Sequence, residues 1–208
     1  MENNMALEYP MFCYQCEQTV GGKGCTKLGV CGKTPEVAAL QDLLIYQVKG
    51  ISCYAKEIIE KGENLDKDIV SFIENTLFTT LTNVNFDADI HVEMLKQSQK
   101  IKEDLRKRVG KIKNDTEHAT YNLSSTKSGM IEDAKKAGIM YDQDLDPDIR
   151  SLRQTIVYGL KGISAYGHQA RELGYYDDQV DNFYARALEA TCDDSLGVEE
   201  LIRWTILT

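Results

Sequence analysis

The chain has 208 residues, of which 42% are hydrophobic, so it is long enough for one large domain or two small ones with a substantial core. Its 24 Lys and Arg stand against 33 Asp and Glu, and the resulting net charge of −9 argues against nucleic-acid binding as a main function. No apolar run in the sequence is long enough to span a membrane, and a total of three prolines favours helix.

Four of the six cysteines lie in one glycine-rich stretch near the amino terminus: Cys13, Cys16, Cys25 and Cys31. Thiolates are soft ligands, and a flexible loop that carries four of them can enclose a soft metal ion or an iron–sulfur cluster. The stretch is therefore the candidate site of the chain, and the helices that follow are interpreted as its scaffold.

Three interpretations of the four cysteines stay open on spacing alone. An iron–sulfur cluster suits the ligands, although the spacing fits neither common ferredoxin pattern. Structural zinc usually takes two close pairs of ligands, and here only Cys13 and Cys16 are close. Two disulfides would need an oxidising compartment. Because residues 1–10 have neither the basic start nor the apolar core of a secretory signal, we expect a reducing cytoplasm.

After the cysteine stretch the sequence predicts helices and almost no sheet. Thr34 suits an N-cap, Pro35 suits the first helical position, and Gly62 suits a helix stop. Apolar residues that recur in steps of three and four define the other helices. The predicted helices cover 35–61, 66–81, 87–109, 129–136, 147–173 and 177–191, with a last one from about 197.

A repeat divides these helices into two similar groups. The motif Tyr-x-x-Lys-Gly-Ile-Ser-x-Tyr begins at Tyr46 and again at Tyr158. The repeat predicts an all-α fold of two related helical bundles, an internal duplication, behind an N-terminal Cys-rich loop that carries the site. The predicted units are a poorly ordered extension at 1–10, the loop with a first bundle at 11–110, a polar linker or frayed segment at 111–128, and a second bundle at 129–208.

Glycines predict close backbone approaches in two places. Gly50 and Gly162 lie inside predicted helices, where glycine costs about 1 kcal/mol against alanine, so we expect a close helix crossing at each. In the cysteine stretch, the backbone N–H groups of 21–24 are expected to point at cluster sulfurs.

The other chemically interesting residues are predicted to be structural. Lys49 and Lys161, which precede the two helix glycines, are expected on solvated faces. Cys53 and Cys192 stand alone and are expected as small core residues, not as ligands. The three histidines lack a partner at metal-ligand spacing and are expected to be structural or exposed; they are His91, His118 and His168.

The residues around the cysteines resemble the hybrid-cluster proteins, also called hydroxylamine reductases, which are related to the nickel carbon monoxide dehydrogenases. The resemblance covers nearly the whole chain from Met11, and its cysteine spacing is similar to that of members with a [4Fe-4S] cubane. It is carried by Met11-Phe12-Cys13-Tyr14-Gln15-Cys16-Glu17-Gln18-Thr19, Gly24-Cys25-Thr26, Gly29-Val30-Cys31-Gly32-Lys33, Thr80 to Asp87, and Ser151 to Gly162.

This resemblance implies that Cys13, Cys16, Cys25 and Cys31 bind a [4Fe-4S] cluster that relays electrons to a hybrid iron–sulfur–oxygen cluster. The family's hybrid cluster reduces hydroxylamine or nitric oxide, and its ligands come from later α/β domains that are expected to be missing here, so no catalytic residue is predicted. The implied partners are those downstream domains and a redox partner protein, with a homodimer as an option; neither nucleic acid nor a membrane is expected.

Two alternatives remain beside the electron-transfer hypothesis. The first is a structural or interaction domain, in which a four-cysteine site with an iron–sulfur cluster or zinc pins the loop and the helices form an interface. The second is the carbon monoxide dehydrogenase branch of the same family. A reducible chromophore would separate electron transfer from structural zinc, because zinc has no redox chemistry.

Overall fold

The computed structural model describes residues 9–208, and within that range the chain forms eight α-helices. The predicted all-α fold is confirmed: across 9–208 the extended pairing is limited to one isolated bridge, between Cys13 and Cys25. Two short 3-10 turns occur at Val20–Gly22 and Ala134–Lys136. The helices are α1 (Pro35–Glu60), α2 (Lys67–Thr79), α3 (Ala88–Val109), α4 (Glu117–Thr120), α5 (Lys127–Asp133), α6 (Pro147–Glu172), α7 (Asp178–Ala190) and α8 (Val198–Leu207).

The ends of the long helices follow from their local sequence. At the start of α1, the Val37 N–H donates to the Thr34 hydroxyl at 3.2 Å, as the predicted N-cap requires. The helix ends at Gly62, whose φ of +79° is a left-handed conformation that glycine adopts without strain. Helix α6 ends in the same way at Gly174, with a φ of +83°.

The duplication is visible in the helix lengths and in the packing. Helices α1 and α6 both have 26 residues, and α2 and α7 both have 13. The two copies pack crosswise, because α1 lies mainly against α3 and α7 while α2 lies against α6. One apolar core contains residues from both copies, from Val48 to Leu201. The division into separate bundles therefore stays a prediction.

The segment 111–128 is more ordered than its polar sequence indicated. It contains α4, and Ala119 and Tyr121 are buried beside α1 and α3. The Lys102 ammonium, itself buried, donates to the carbonyls of His118 at 3.3 Å and Tyr121 at 2.7 Å. The expectation of a frayed segment was wrong, because a buried lysine on α3 satisfies backbone oxygens that a polar linker would leave to water.

The two repeat glycines differ in their surroundings. A Cβ on Gly50 would collide with the backbone carbonyl of His118 in α4, so the predicted close approach is confirmed there, with α4 as the partner. A Cβ on Gly162 would meet no atom within 4 Å, so the prediction of a close crossing at that position was wrong.

The predicted poor order of residues 1–10 falls mostly outside the described residues. It does not hold for Tyr9, which is buried and whose hydroxyl donates to Asp42 on α1 at 2.7 Å. Tyr9 and Met11 belong to a second apolar core, which packs the cysteine loop onto the first half of α1.

A buried ion triad joins the two copies. Arg171 on α6 pairs with Glu74 on α2 at 3.1 Å and with Asp181 on α7 at 2.6 Å. We expect Arg171→Leu to lower the free energy of unfolding by about 3–5 kcal/mol, because it strands two carboxylates in the interior. Urea denaturation measures the loss.

The control for Arg171 is Arg108, which also binds two carboxylates, those of Glu63 and Asp66, but lies at the surface with its side chain 42% exposed. Arg108→Leu should cost about 1 kcal/mol or less, because water solvates the separated partners. Equal losses in the two variants would contradict the assignment of the Arg171 triad as a buried tie between the copies.

Candidate metal centre

The cysteine loop folds back on itself through Cys13 and Cys25. Each donates its N–H to the other's carbonyl, at 3.0 Å and 2.8 Å, in an antiparallel bridge. Residues directly opposite in such a pair send their side chains to the same face, with Cβ atoms about 5 Å apart. The structure therefore places these two side chains on one face of the bridge, although they are twelve positions apart in sequence.

The other two cysteines lie farther out on the loop. Cys16 is half-buried and Cys31 is exposed, with its sulfur 3.0 Å from the position that a Cβ on Gly29 would occupy. The Gly29 N–H donates to the Lys33 carbonyl at 2.8 Å and so closes the turn around Cys31. Gly32, which follows Cys31, has a φ of +90°, a conformation that glycine adopts without strain.

All six cysteines are free, so no disulfide links any of them within residues 9–208. No three His, Cys, Asp or Glu side chains in that range converge closely enough to hold one metal ion. The thiols of a four-iron cluster bind separate irons and need not converge on one point, so this finding bears on a single ion. Four free soft donors on one loop, two of them paired by the backbone, fit a cluster chemically; the four-cysteine ligand set stays a prediction.

The backbone N–H groups of 21–24 are the groups predicted to contact cluster sulfurs. The N–H groups of Gly22 and Lys23 donate to the carbonyls of Thr19 and Val20, at 3.0 Å and 3.2 Å, inside a 3-10 turn. These N–H groups are therefore occupied within the turn, and for Gly21 the expected contact with cluster sulfurs stays a prediction. A Cβ on Gly24 would press on the Phe12 ring at 2.7 Å, so this glycine lets Phe12 cover the loop.

One backbone carbonyl, that of Gln15, ties the loop to the helices. It accepts from the Tyr158 hydroxyl on α6 at 2.8 Å and from the Thr82 hydroxyl after α2 at 3.3 Å. Both donors come from the stretches that carry the family resemblance outside the loop. The Tyr14 ring lies next to Cys13, and burial raises the pKa of its phenol to about 12, with Asp42 and Cys13 adding to the shift.

Buried lysines lie beside the loop, contrary to the prediction from sequence. Lys161 on α6 is buried and donates to the Thr80 carbonyl at 3.1 Å. Burial lowers its pKa to about 8, and Lys33 lowers it further, while Asp42 and Cys13 act in the opposite sense. Lys33 is also buried, and its ammonium donates to the Gln41 side chain at 2.6 Å.

The prediction of solvated faces was wrong for both repeat lysines, since Lys49 is buried as well. The signal that could have revealed them is a lysine at the same place in two otherwise apolar helical stretches. Between Lys161 and the loop, the carboxyl of Asp42 accepts from Tyr9, and burial raises its pKa to about 6 against the opposing effects of Tyr9 and Lys161.

Cys53 and Cys192 are core residues, as predicted; that neither they nor the histidines bind a metal stays a prediction. Cys53 and Cys192 are buried in the shared core, where their thiols contact the carbonyls of Lys49 in α1 and Leu188 in α7. The histidines are engaged in packing or backbone contacts: His91 with the Asp87 carbonyl, His118 stacked on Tyr46 at 4.2 Å, and His168 stacked on Phe78 at 4.9 Å. None of the helices within 9–208 combines the length and apolar character that a membrane crossing needs.

These features define a class of protein: a duplicated helical domain that presents a loop of four free cysteines on buried lysines. Comparison with known proteins makes the assignment specific. The chain matches the model of the Prismane/CO dehydrogenase family over residues 11–206, and it belongs to that family.

The similar curated proteins are hydroxylamine reductases. The one from Desulfovibrio desulfuricans is 43% identical, over 95% of this chain and 36% of the relative. The one from Syntrophobacter fumaroxidans is 45% identical, over 87% of this chain and 34% of the relative. The one from Acetivibrio thermocellus is 41% identical, over 95% of this chain and 36% of the relative. The chain thus spans about a third of the length of the relatives that it matches.

Proposed function

We propose that this chain is the electron-transfer domain of a hydroxylamine reductase, with Cys13, Cys16, Cys25 and Cys31 as ligands of a [4Fe-4S] cluster. When bound, such a cluster accepts and releases single electrons at a potential set by its surroundings. The proposal needs reduced thiols, and so a reducing compartment such as the cytoplasm.

The observation that carries the proposal is the pair of buried ammonium groups beside the loop. Lys33 and Lys161 are both buried, and the pKa of Lys161 responds to Cys13. Four thiolates that hold iron and sulfide carry net negative charge, and a nearby buried cation offsets it.

The other residues of the site act by holding the loop still. Tyr158 and Thr82 fix the Gln15 carbonyl between Cys13 and Cys16, and Phe12 covers the chain at Gly24. Each contact is made by the chain's own scaffold. Such rigid support lowers the reorganisation that accompanies a change of charge.

In the full reductase, electrons would pass from a redox partner protein through this domain to a hybrid iron–sulfur–oxygen cluster in downstream domains, where hydroxylamine or nitric oxide is reduced. These steps come from the family likeness. The carbon monoxide dehydrogenase branch is disfavoured by the names of the similar proteins, which are hydroxylamine reductases.

The second candidate function is structural. In it, a metal or cluster at the four cysteines holds the loop in place, and the helices form an interface with another protein or a homodimer contact. It is favoured by the way in which the loop packs into the second core through Cys25 and Met11. The two functions are separated by iron and sulfide analysis and EPR of anaerobically purified protein. A reducible iron–sulfur signal supports electron transfer, whereas bound zinc without such a signal would support the structural role.

The charge of Lys161 should tune the potential of the bound cluster. Lys161→Gln removes a buried cation near Cys13, and this destabilises the reduced, more negative state. We expect a shift of the potential to more negative values, on the order of 50 mV, measured by EPR-monitored redox titration. The control is Lys49→Gln, the same change at the equivalent position of the other copy. The groups whose charges act on Lys49 are Cys192, Arg153, Asp142 and Cys53, and none belongs to the loop. A shift of equal size in both variants would contradict a local effect of Lys161.

A further inference from the structure

A small polar cavity surrounds Lys49 and adjoins the pocket that contains Lys161 and Asp42; Ala137, Ile139 and Gln154 line both. Its volume is about 80 Å³, and its walls come from α1, α4, the 134–145 segment and the first turns of α6. A water molecule needs about 10–15 Å³ measured in this way, so the space exceeds that of a single water. Four cations and two acids line it: Lys49, Lys136, Arg150, Arg153, Glu117 and Asp142. This excess of positive charge contrasts with the chain's net charge of −9.

Two of the cations, Lys49 and Arg153, have donor groups without a hydrogen-bond or ion-pair partner in residues 9–208. Lys49 is 9% exposed, and among residues 9–208 its ammonium forms neither a hydrogen bond nor an ion pair within the usual distances. Arg153 is 8% exposed; one end of its guanidinium is held by Asp194 at 2.9 Å and by the Asp193 carbonyl at 3.0 Å. Its Nε is closed off from solvent and has no partner in residues 9–208, so it does not open into the cavity. Burying a charged donor without a partner is costly, so the cavity is one in which a ligand can supply what the protein does not.

The acids of the cavity do not fill this role. Glu117 forms an ion pair with Lys136 at 3.1 Å and not with Lys49 or Arg153. Asp142 contributes its backbone carbonyl to Arg150 at 3.3 Å, and its carboxylate forms no ion pair with any cation in residues 9–208. Burial lowers the pKa of Lys49 most; the Cys192 thiol and Asp142 act in the opposite sense and Arg153 lowers it further, and the net shift is downward.

Comparison of the two copies of the repeat shows that a carboxylate near Lys161 has no equivalent near Lys49. In the second copy, Lys161 has the carboxylate of Asp42 near it, and both line a pocket behind the loop. By the register of the repeat, Lys49 corresponds to Lys161, and the residue that corresponds to Asp42 is Gln154. Gln154 also lines the Lys49 cavity, so the place of the built-in carboxylate is held by a neutral amide. The neighbouring position, Gln41 in the first copy, is the cationic Arg153 in the second.

We propose that the cavity between Lys49 and Arg153 binds a small oxyanion of the phosphate or sulfate class. The anion takes the electrostatic place of the carboxylate that Asp42 supplies to Lys161, and accepts hydrogen bonds from the Lys49 ammonium and the Arg153 guanidinium. The size of the cavity restricts the ligand to a small inorganic anion with a few waters and excludes a nucleotide. The site is separate from the cysteine loop, so it does not depend on the proposed electron-transfer function.

The test uses the 208-residue chain and isothermal titration calorimetry with potassium phosphate, against potassium chloride at the same ionic strength. We expect saturable binding of one phosphate by the wild type. Lys49→Gln and Arg153→Gln each remove a charged donor and should weaken binding by at least about tenfold. The control is Lys56→Gln, a lysine of the same helix whose ammonium is already paired with Glu189 at 2.8 Å; it should bind like the wild type.

A reciprocal variant keeps the proposal testable if the loss of a buried cation impairs folding. Gln154→Asp installs the carboxylate of the other copy beside Lys49, and it should fold at least as well as the wild type and lose phosphate binding. The proposal is overturned if the wild type shows no saturable binding at millimolar phosphate, if Lys56→Gln weakens binding as much as Lys49→Gln, or if Gln154→Asp still binds phosphate like the wild type.

Discussion

Replacing Gly50 with alanine is expected to lower the free energy of unfolding by about 3 kcal/mol, measured by urea denaturation. The added Cβ would collide with the His118 carbonyl oxygen and stand 2.8 Å from its carbon. The Cβ position is fixed by the backbone of α1 and the carbonyl by the backbone of α4, so neither atom can rotate aside. The same carbonyl also accepts from the buried ammonium of Lys102, so a displaced α4 would weaken that bond as well.

Gly162 is the matched control, because it occupies the same position in the second copy of the repeat. A Cβ there meets nothing within 4 Å, so Gly162→Ala gains helix propensity without a clash. It should be neutral or raise the free energy of unfolding by up to about 1 kcal/mol. Similar losses in both alanine variants would show that the Gly50 effect does not come from the contact with His118.

The comparison of these two glycines illustrates which parts of the fold the sequence could predict. Helix starts and stops depend on residues next to one another, and Thr34, Gly62 and the repeat motif predicted them correctly. What lies opposite Gly50 or Gly162 depends on α4 and on the crosswise packing of the copies, and neither is encoded in the local pattern. The sequence predicted a close helix crossing at both glycines, and the structure has a close approach at Gly50 alone of the two.

The buried lysines were missed for a related reason. Lysine is rarely buried, so the default expectation for Lys49 and Lys161 is a solvated face. Their burial depends on partners from distant segments, such as the Thr80 carbonyl for Lys161, and no spacing rule shows these partners. For the site itself, the spacing of the four cysteines predicted that they share one loop. The backbone pairing of Cys13 with Cys25 depends on how that loop folds and could not be predicted from the spacing.

Loss of either backbone-paired cysteine is expected to remove most of the iron from the protein. Cys13→Ser and Cys25→Ser replace a soft thiolate with a hard hydroxyl that stays protonated at neutral pH, so each removes one ligand of the proposed cluster. The two mutual N–H···O bonds, at 3.0 Å and 2.8 Å, involve only backbone atoms and should persist in both variants. Iron and acid-labile sulfide per chain, measured after anaerobic reconstitution, give the result, and circular dichroism checks that the helices remain.

Cys53→Ser and Cys192→Ser are the controls, because they make the same chemical change in the shared core. Their sulfurs lie against the carbonyls of Lys49 and Leu188, and a hydroxyl can donate to the same oxygens. Both variants should therefore keep wild-type iron per folded chain, even where the polar atom lowers stability. Wild-type iron in both Cys13→Ser and Cys25→Ser would rule out these residues as ligands. Iron loss confined to the core variants would move the metal centre to α1 and the residues just after α7.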